Sequence, residues 1–407
     1  MKNDGVYIGK RGSKKVFAPD DAKHVFVCGT TGTGKTVALA NFIARAVEQD
    51  YPLLLVDGKG DTGKGSVLDI VKTLNPSGRK LYIVNLTTPE QSALYNPFAD
   101  TTPTIAKDML INLSTWNEEH YKLNAERYLQ RVALTIKKAG ITSTFKNIVR
   151  HLPIDNFKGL SYTLEQNGTI PKQEHAENVE IANTSGKVSD KSHARFALIA
   201  ESELGHIFDE QGIDIYGAMR ERATILFILN PLIYPELSPL IGRMILVDAK
   251  KAVSKLFGGE TERIFFIFDE INTYASPALI NLVNKSRSAN ITCVLATQSL
   301  SDLASAEDVH FQEQVIENCN NYIVLRQNSA VNSENLANIL GTRSTMEVTY
   351  QMKHENGATV DTGLGSARVV REYLYHPDEI KTLKTGQAFF LSRDTGQHSR
   401  ILVHKPF

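Results

Sequence analysis

The chain has 407 residues, 42% of them hydrophobic and 22% charged, with 45 basic and 45 acidic side chains and a formal net charge of zero. That length allows two or three domains and a large buried core. The balanced charge excludes capture of nucleic acid by a global field, so any DNA contact must come from a local basic surface such as a pore lining. Three cysteines, Cys28, Cys293 and Cys319, fit neither a disulfide framework nor a zinc site and point to a reducing compartment. Eleven histidines show no metal-ligand spacing. The first twelve residues are polar and charged, which excludes a secretory leader there. The most apolar window, 223–247, is cut by Pro231, Pro235, Glu236, Pro239 and Arg243, so it lacks the run of about 20 apolar residues that a bilayer requires.

In chain order, residues 1–21 read as a polar lead-in with a small hairpin, Val6–Ile8 against Lys15–Phe17. Val25–Val27 is a short buried strand, and Val37–Gln49 continues as a helix. Between them Gly29 to Thr36 spell G-x-x-x-x-G-K-T, and strand, glycine-rich turn and helix in that order are what a phosphate-binding loop requires. Gly29, Gly32 and Gly34 let the backbone turn its N–H groups inward. With Thr30, Thr31, Thr33 and the helix N-terminus they form a cradle for nucleotide phosphates. Lys35 then reaches the β- and γ-phosphates, and the Thr36 hydroxyl holds Mg²⁺.

Leu53–Asp57 is a continuous apolar run ending in an acid, the pattern of a strand buried on both faces of a parallel sheet. A glycine- and lysine-rich loop, 58–65, leads to a helix over 66–74 and a strand over 81–84. This β-α-β-α-β order argues for a doubly wound sheet. From Thr104 to Lys138 apolar residues fall at helical spacing, and a second helical stretch runs over 143–152. Residues 153–190 are polar and weakly patterned, with a mobile loop expected near Asn183–Asp190, before a helix over 194–208. Strand texture returns at Thr224–Leu229, followed by a helix over 237–257 stopped by Gly258-Gly259. Arg263–Glu270 is a buried strand ending in two acids, then come a helix over 278–289 and a strand over 291–296. The chain continues with a strand over 322–325, a helix over 333–340, a hairpin over 345–375 and two late strands, 388–391 and 401–403.

Asp269-Glu270 follow four bulky apolar residues, where an ATPase places its second nucleotide motif. Asp269 would hold Mg²⁺ through water, and Glu270 would orient and deprotonate the attacking water. Gln298, at the end of the next strand, suits a sensor of the γ-phosphate; the alternative is an amide satisfying a strand end. Arg287, on the intervening helix, matters only if subunits form a ring, where it could reach a neighbour's γ-phosphate. Asp57 and Lys59 read equally as a βα turn and as a nucleotide or DNA contact. Trp116, the only tryptophan, reads as helix packing rather than base stacking.

Several strings together, GTTGTGKT at 29–36, VDGKGD at 56–61, YNPF at 95–98, FIFDE at 266–270, NKSR at 284–287 and VLATQSLSDL at 294–303, with ENCNNYIVLRQN at 317–328 and REYLYHPDEIKTL at 371–383, resemble the type IV coupling proteins of bacterial conjugation, the TraD, TraG and TrwB group. These lie within a wider class of ring-forming DNA motors that includes FtsK and HerA. The resemblance implies a RecA-like nucleotide-binding domain, residues 1–100 and 218–407, interrupted by an all-α insertion, 101–217, that would meet the relaxosome. It implies ATP with Mg²⁺ bound between the subunits of a hexamer, with Lys35, Thr36, Asp269, Glu270 and Gln298 on the nucleotide motifs and Arg287 in the segment of the arginine finger. The partners it implies are DNA, a relaxase and the type IV secretion channel. Such proteins usually carry transmembrane anchor helices, and residues 1–28 hold none: either this is a naturally soluble member, or the anchor is on another polypeptide, or this sequence omits it, and the expected location is the cytoplasm, alone or peripheral to the inner membrane through a partner. A DNA translocase or helicase of the FtsK or HerA type and a protein-handling secretion ATPase are the competing readings.

Overall fold

Apolar runs with no polar alternation force strands that need cover on both sides, and these runs form the centre of the molecule. The structure, a computed structural model, describes residues 5–113, 116, 118–257, 262–304, 310–355 and 358–407. A hairpin of β1 (Val6–Arg11) and β2 (Lys14–Ala18) leads to β3 (Val25–Cys28), α1 (Lys35–Glu48), β4 (Leu53–Asp57), α2 (Val67–Leu74) and β5 (Leu81–Asn85). Helices follow: α3 (Pro103–Ile111), α4 (Glu119–Lys138), α5 (Phe145–His151), α6 (Ile154–Gln166), α7 (Lys172–Ala200) and α8 (Ile215–Arg220). Then come β6 (Thr224–Ile228), α9 (Leu237–Leu256), β7 (Ile264–Asp269), α10 (Pro277–Ser286), β8 (Ile291–Thr297), α11 (Phe311–Glu317), β9 (Asn321–Val324) and α12 (Ala330–Leu340). A two-stranded ribbon, β10 (Thr342–Glu355) with β11 (Ala358–Tyr373), precedes α13 (Pro377–Lys381), β12 (Gln387–Ser392) and β13 (His398–Val403).

The main sheet has 11 strands in the order β2-β1-β13-β12-β9-β3-β8-β7-β4-β6-β5. From β9 to β5 neighbouring strands are parallel, and the other four strands add antiparallel. Successive residues of the central strands serve opposite cores. Phe26, Leu54, Val56, Phe266 and Phe268 point into one with α9 and α10, while Val25, Val27, Leu55 and Ile267 point into the other with α1 and α2. This is the doubly wound, mostly parallel sheet that the apolar runs predict.

Between β5 and β6 the described residues form helices and no strand; one isolated parallel bridge, Tyr95 with Ile213, ties the ends of this segment. The helical segment shares its core with one face of the sheet, through α9. Residues 154–166 are helix α6, and Asn183–Asp190 lies inside the single long helix α7, not in a loop. Few apolar residues mark α7. Buried Ile181, Ala182, Phe196 and Ile199 attach it to the core, and ion pairs to α4 add to this, Lys138–Glu174 at 2.6 Å and Arg131–Glu177 at 2.7 Å. It ends at Ala200, earlier than expected, and a short 3-10 turn follows at Gly205–Ile207. Helix α11 was not anticipated. The Gly258-Gly259 stop lies outside the described residues. Trp116 is half-buried against the core, its Nε1 donating to the Ile111 carbonyl at 3.0 Å. Among the described residues no helix is long and apolar enough to cross a membrane.

Candidate nucleotide site

The parallel strands deliver their C-terminal ends to one edge of the sheet, the usual place for a ligand in such folds. Cys28 ends β3 and the glycine-rich loop begins at once. Gly32 at φ 76° and Gly34 at φ 109° adopt the left-handed conformation that glycine tolerates best, and α1 starts directly at Lys35. Two segments brace this loop. Just past β9, the Arg326 carbonyl accepts from the Thr30 N–H at 3.1 Å. Ahead of β12, the Gly386 N–H donates to the Thr33 carbonyl at 2.9 Å and the Thr385 hydroxyl to the Gly32 carbonyl at 3.4 Å.

Two strands over, β7 ends at Asp269, and Glu270 turns sharply with φ 49° and ψ 53°. Both carboxyls aim at the lysine of the loop. Lys35 Nζ lies 2.6 Å from Glu270 Oε1 and 3.7 Å from Asp269 Oδ1. On the strand between, Gln298 bridges the two sides: its Nε2 donates to Glu270 Oε1 at 2.9 Å and its Oε1 accepts from the Thr31 hydroxyl at 3.0 Å. Burial raises the Asp269 carboxyl above the usual range against the pull of Lys35. Asp57, opposite Asp269 in the β4–β7 register, is pushed up to about 7, first by burial and then by the Asp269 charge.

These groups line one cleft of about 300 Å³ with Thr30, Thr31, Gly32, Gly34, Lys35, Thr36, Val37, Lys59, Gly65, Asp269, Glu270, Gln298 and Thr385 in its wall. Of the predicted residues, Gly29 and Thr33 stay outside the wall; the buried Thr33 turns its hydroxyl back to the Thr30 carbonyl at 2.7 Å. Arg287 is not there either. It is exposed on a 3-10 turn, Arg287–Ala289, just before β8 begins, and its charge acts on His24, just ahead of β3. That is the opposite edge of the sheet. Thr385 and Gln327 join the site with no sequence motif to mark them. The Gln327 side chain is fully buried and donates to the Gln298 carbonyl at 3.0 Å.

The donor set fits a magnesium-bound polyphosphate: a glycine-rich loop at a helix N-terminus, the Lys35 ammonium, the Thr36 hydroxyl and the buried Asp269 carboxylate line the cleft together. Mg²⁺ commonly takes only one or two carboxylates and fills its octahedron with phosphate oxygens and water. The described residues accordingly contain no cluster of three or more His, Cys, Asp or Glu able to hold a metal.

The sequence pattern of the type IV secretion-system coupling protein DNA-binding domain matches residues 18–404. The coupling protein DotL of Legionella pneumophila is 30% identical over 118 residues, 26% of this chain and 15% of DotL. A Mycoplasma pneumoniae protein of no stated function is 36% identical over 62 residues, 13% of this chain and about half (52%) of that protein. The fold matches the plasmid coupling protein TrwB in complex with the GTP analogue GDPNP, with TM-score 0.72, 16% identity and coverage of 100% of this chain and 91% of TrwB. A TrwB structure with ADP and Mg²⁺ gives TM-score 0.68 at 16% identity, covering 100% of this chain and 91% of that one.

Proposed function

The chain belongs to the family of type IV secretion-system coupling protein DNA-binding domains, and from that premise we propose that it is an ATP-driven motor that passes DNA to a type IV secretion channel. The observation that carries this reading is the convergence of Lys35, Thr36, Asp269, Glu270 and Gln298 from three separate strand ends on one cleft. Residues 101–217 act as an all-α insertion between the two parts, 1–100 and 218–407, of the nucleotide-binding domain.

Within the cleft the loop N–H groups and Lys35 hold the phosphates of ATP, and Thr36 with Asp269 hold Mg²⁺. The metal supplies charge neutralisation across the phosphate oxygens. Glu270 orients the attacking water and accepts its proton. A phosphate competes with Glu270 for Lys35, so nucleotide entry frees the carboxylate for that work. Gln298, bonded to both Glu270 and Thr31, passes the loss of the terminal phosphate to the loop. Arg287 lies outside its own cleft, so its role is in trans: in a hexamer it reaches the neighbour's terminal phosphate. Arginine fingers of this kind are worth about 10³–10⁵ in rate. The partners are DNA, a relaxase and channel proteins, and the motor works in the cytoplasm, held at the inner membrane through a partner.

The test combines hydrolysis and transfer. Purified protein should bind adenine nucleotide with magnesium and turn over ATP faster when DNA is added. A strain lacking it should lose plasmid transfer and regain it on complementation. ATP turnover indifferent to DNA would favour a protein-handling secretion ATPase. DNA stimulation with normal plasmid transfer in the null strain would favour a translocase of the FtsK or HerA type.

A further inference from the structure

The loop after β4 brings a second lysine to the cleft. Lys59 forms part of the same wall as Lys35, Thr36, Asp269 and Glu270. Its backbone is fixed. The Lys59 N–H donates to buried Asp57 Oδ1 at 2.9 Å. Gly58, one residue earlier, presses on the Glu270 turn: its N–H donates to the Asp269 carbonyl at 3.1 Å, and a Cβ there would sit 2.7 Å from the Glu270 carbonyl oxygen. Gly60, one residue later, lies so close to the end of β6 that a Cβ would come within 2.4 Å of the Leu229 carbonyl oxygen.

The side chain, by contrast, is loosely held. It pairs with Asp61 at 3.1 Å, the lysine 52% and the aspartate 43% exposed. Water screens exposed pairs of this kind, so they hold a side chain only weakly. A polyphosphate in the cleft presents several negative charges and outcompetes a single screened carboxylate. Lys59 shares the cleft wall with Glu270, and Gly58, one residue earlier, abuts the Glu270 turn, so the Lys59 backbone lies beside the carboxylate proposed to activate water.

We propose that Lys59 exchanges Asp61 for the terminal phosphate of the bound nucleotide, and so distinguishes triphosphate from diphosphate. This rests on the reading of the cleft as a nucleotide site. Lys64, on the same loop, does not share that task; it lines a separate cleft with Lys405 and Phe407.

The experiment is equilibrium binding, to the full chain with Mg²⁺, of a non-hydrolysable ATP analogue and of ADP. It compares wild type with Lys59→Met, Lys59→Arg, Asp61→Asn and Lys64→Met. A charge-assisted hydrogen bond predicts that Lys59→Met weakens analogue binding by about tenfold or more and leaves ADP binding unchanged. Lys59→Arg should retain most of the analogue affinity, Asp61→Asn should raise it, and Lys64→Met should alter neither ligand. Equal loss for both ligands, or no loss in Lys59→Met while wild type binds the analogue, overturns the assignment of Lys59 alone. Failure of wild type to bind either nucleotide overturns the reading of the cleft and this inference with it.

Discussion

Among the described residues two buried lysines each face a pair of carboxylates, and they differ in how fully they are enclosed. Lys35, with a side chain 9% exposed, faces Glu270 and Asp269 across the wall of a cleft. Lys251, with a side chain fully enclosed, meets Asp214 and Asp248 at 2.8 Å each and donates to the Pro97 and Ala99 carbonyls at 3.0 and 2.9 Å. Asp248 also accepts from the Tyr95 hydroxyl at 2.9 Å and the Ile215 N–H at 3.1 Å. Burial alone would lower the Lys251 pKa, and the two carboxylates outweigh it, so the ammonium is held charged. The second cluster is closed and ties both ends of the helical segment to α9. The first has room beside it for another anion. Residue types are the same; what separates a working cation from a structural one is whether its partner can be replaced.

Crossed substitutions can break that distinction. The largest effect belongs to the open site: Lys35→Ala should abolish ATP turnover, and Glu270→Gln should reduce it by about 10²–10⁴, both with the fold retained. Near-normal hydrolysis by Glu270→Gln would remove that carboxylate from its role. Lys251→Met should do the reverse. It leaves two buried carboxylates without their cation, at a cost of about 3–5 kcal/mol, read as a lowered denaturation midpoint. A neutral outcome there would mean that the closed cluster does not hold the junction.

The smallest effect concerns a third buried base, one held without charge. The His24 Nδ1 accepts from the Cys293 N–H at 3.0 Å and its Nε2 lies 3.0 Å from the Val283 carbonyl, which selects the neutral ring with its proton on Nε2. Burial, aided by Arg287, lowers its pKa to about 4. A depressed value means stability present above the unfolded value of about 6.5 and lost as pH falls towards 4, because the unfolded chain binds the proton first. The loss should reach about 3 kcal/mol. Unfolding midpoints between pH 4.5 and 7 should decline more steeply in wild type than in His24→Gln, and parallel curves would exclude this source.

The sequence makes the open site readable because its parts are short-range. Gly29 to Thr36 are contiguous, and Asp269-Glu270 announce themselves at the end of an unbroken apolar run. Thr385 and Gly386 brace the same loop from some 350 residues away, and nothing in a Lys-Thr-Gly turn names its partner. The closed lysine is hidden for another reason. Asp248 and Lys251 are three residues apart on α9 and look like an exposed helical pair; they are interior because the helical segment packs onto α9, which no local pattern encodes. Only the last turns of α7, where Phe196 and Ile199 are buried, are legible as helix; its earlier turns are mostly polar, with Ile181 and Ala182 among the few buried apolar residues. The late strands were legible singly, but the pairing of β1 with β13 joins opposite ends of the chain.

Glu270 occupies the left-handed region at φ 49°, where a residue with a side chain costs on the order of 1–3 kcal/mol. Glycine would sit there more comfortably and would make a sturdier, inert protein. Robustness and output therefore pull this position in opposite directions, and selection for thermostability alone would erode the very group on which hydrolysis is proposed to depend.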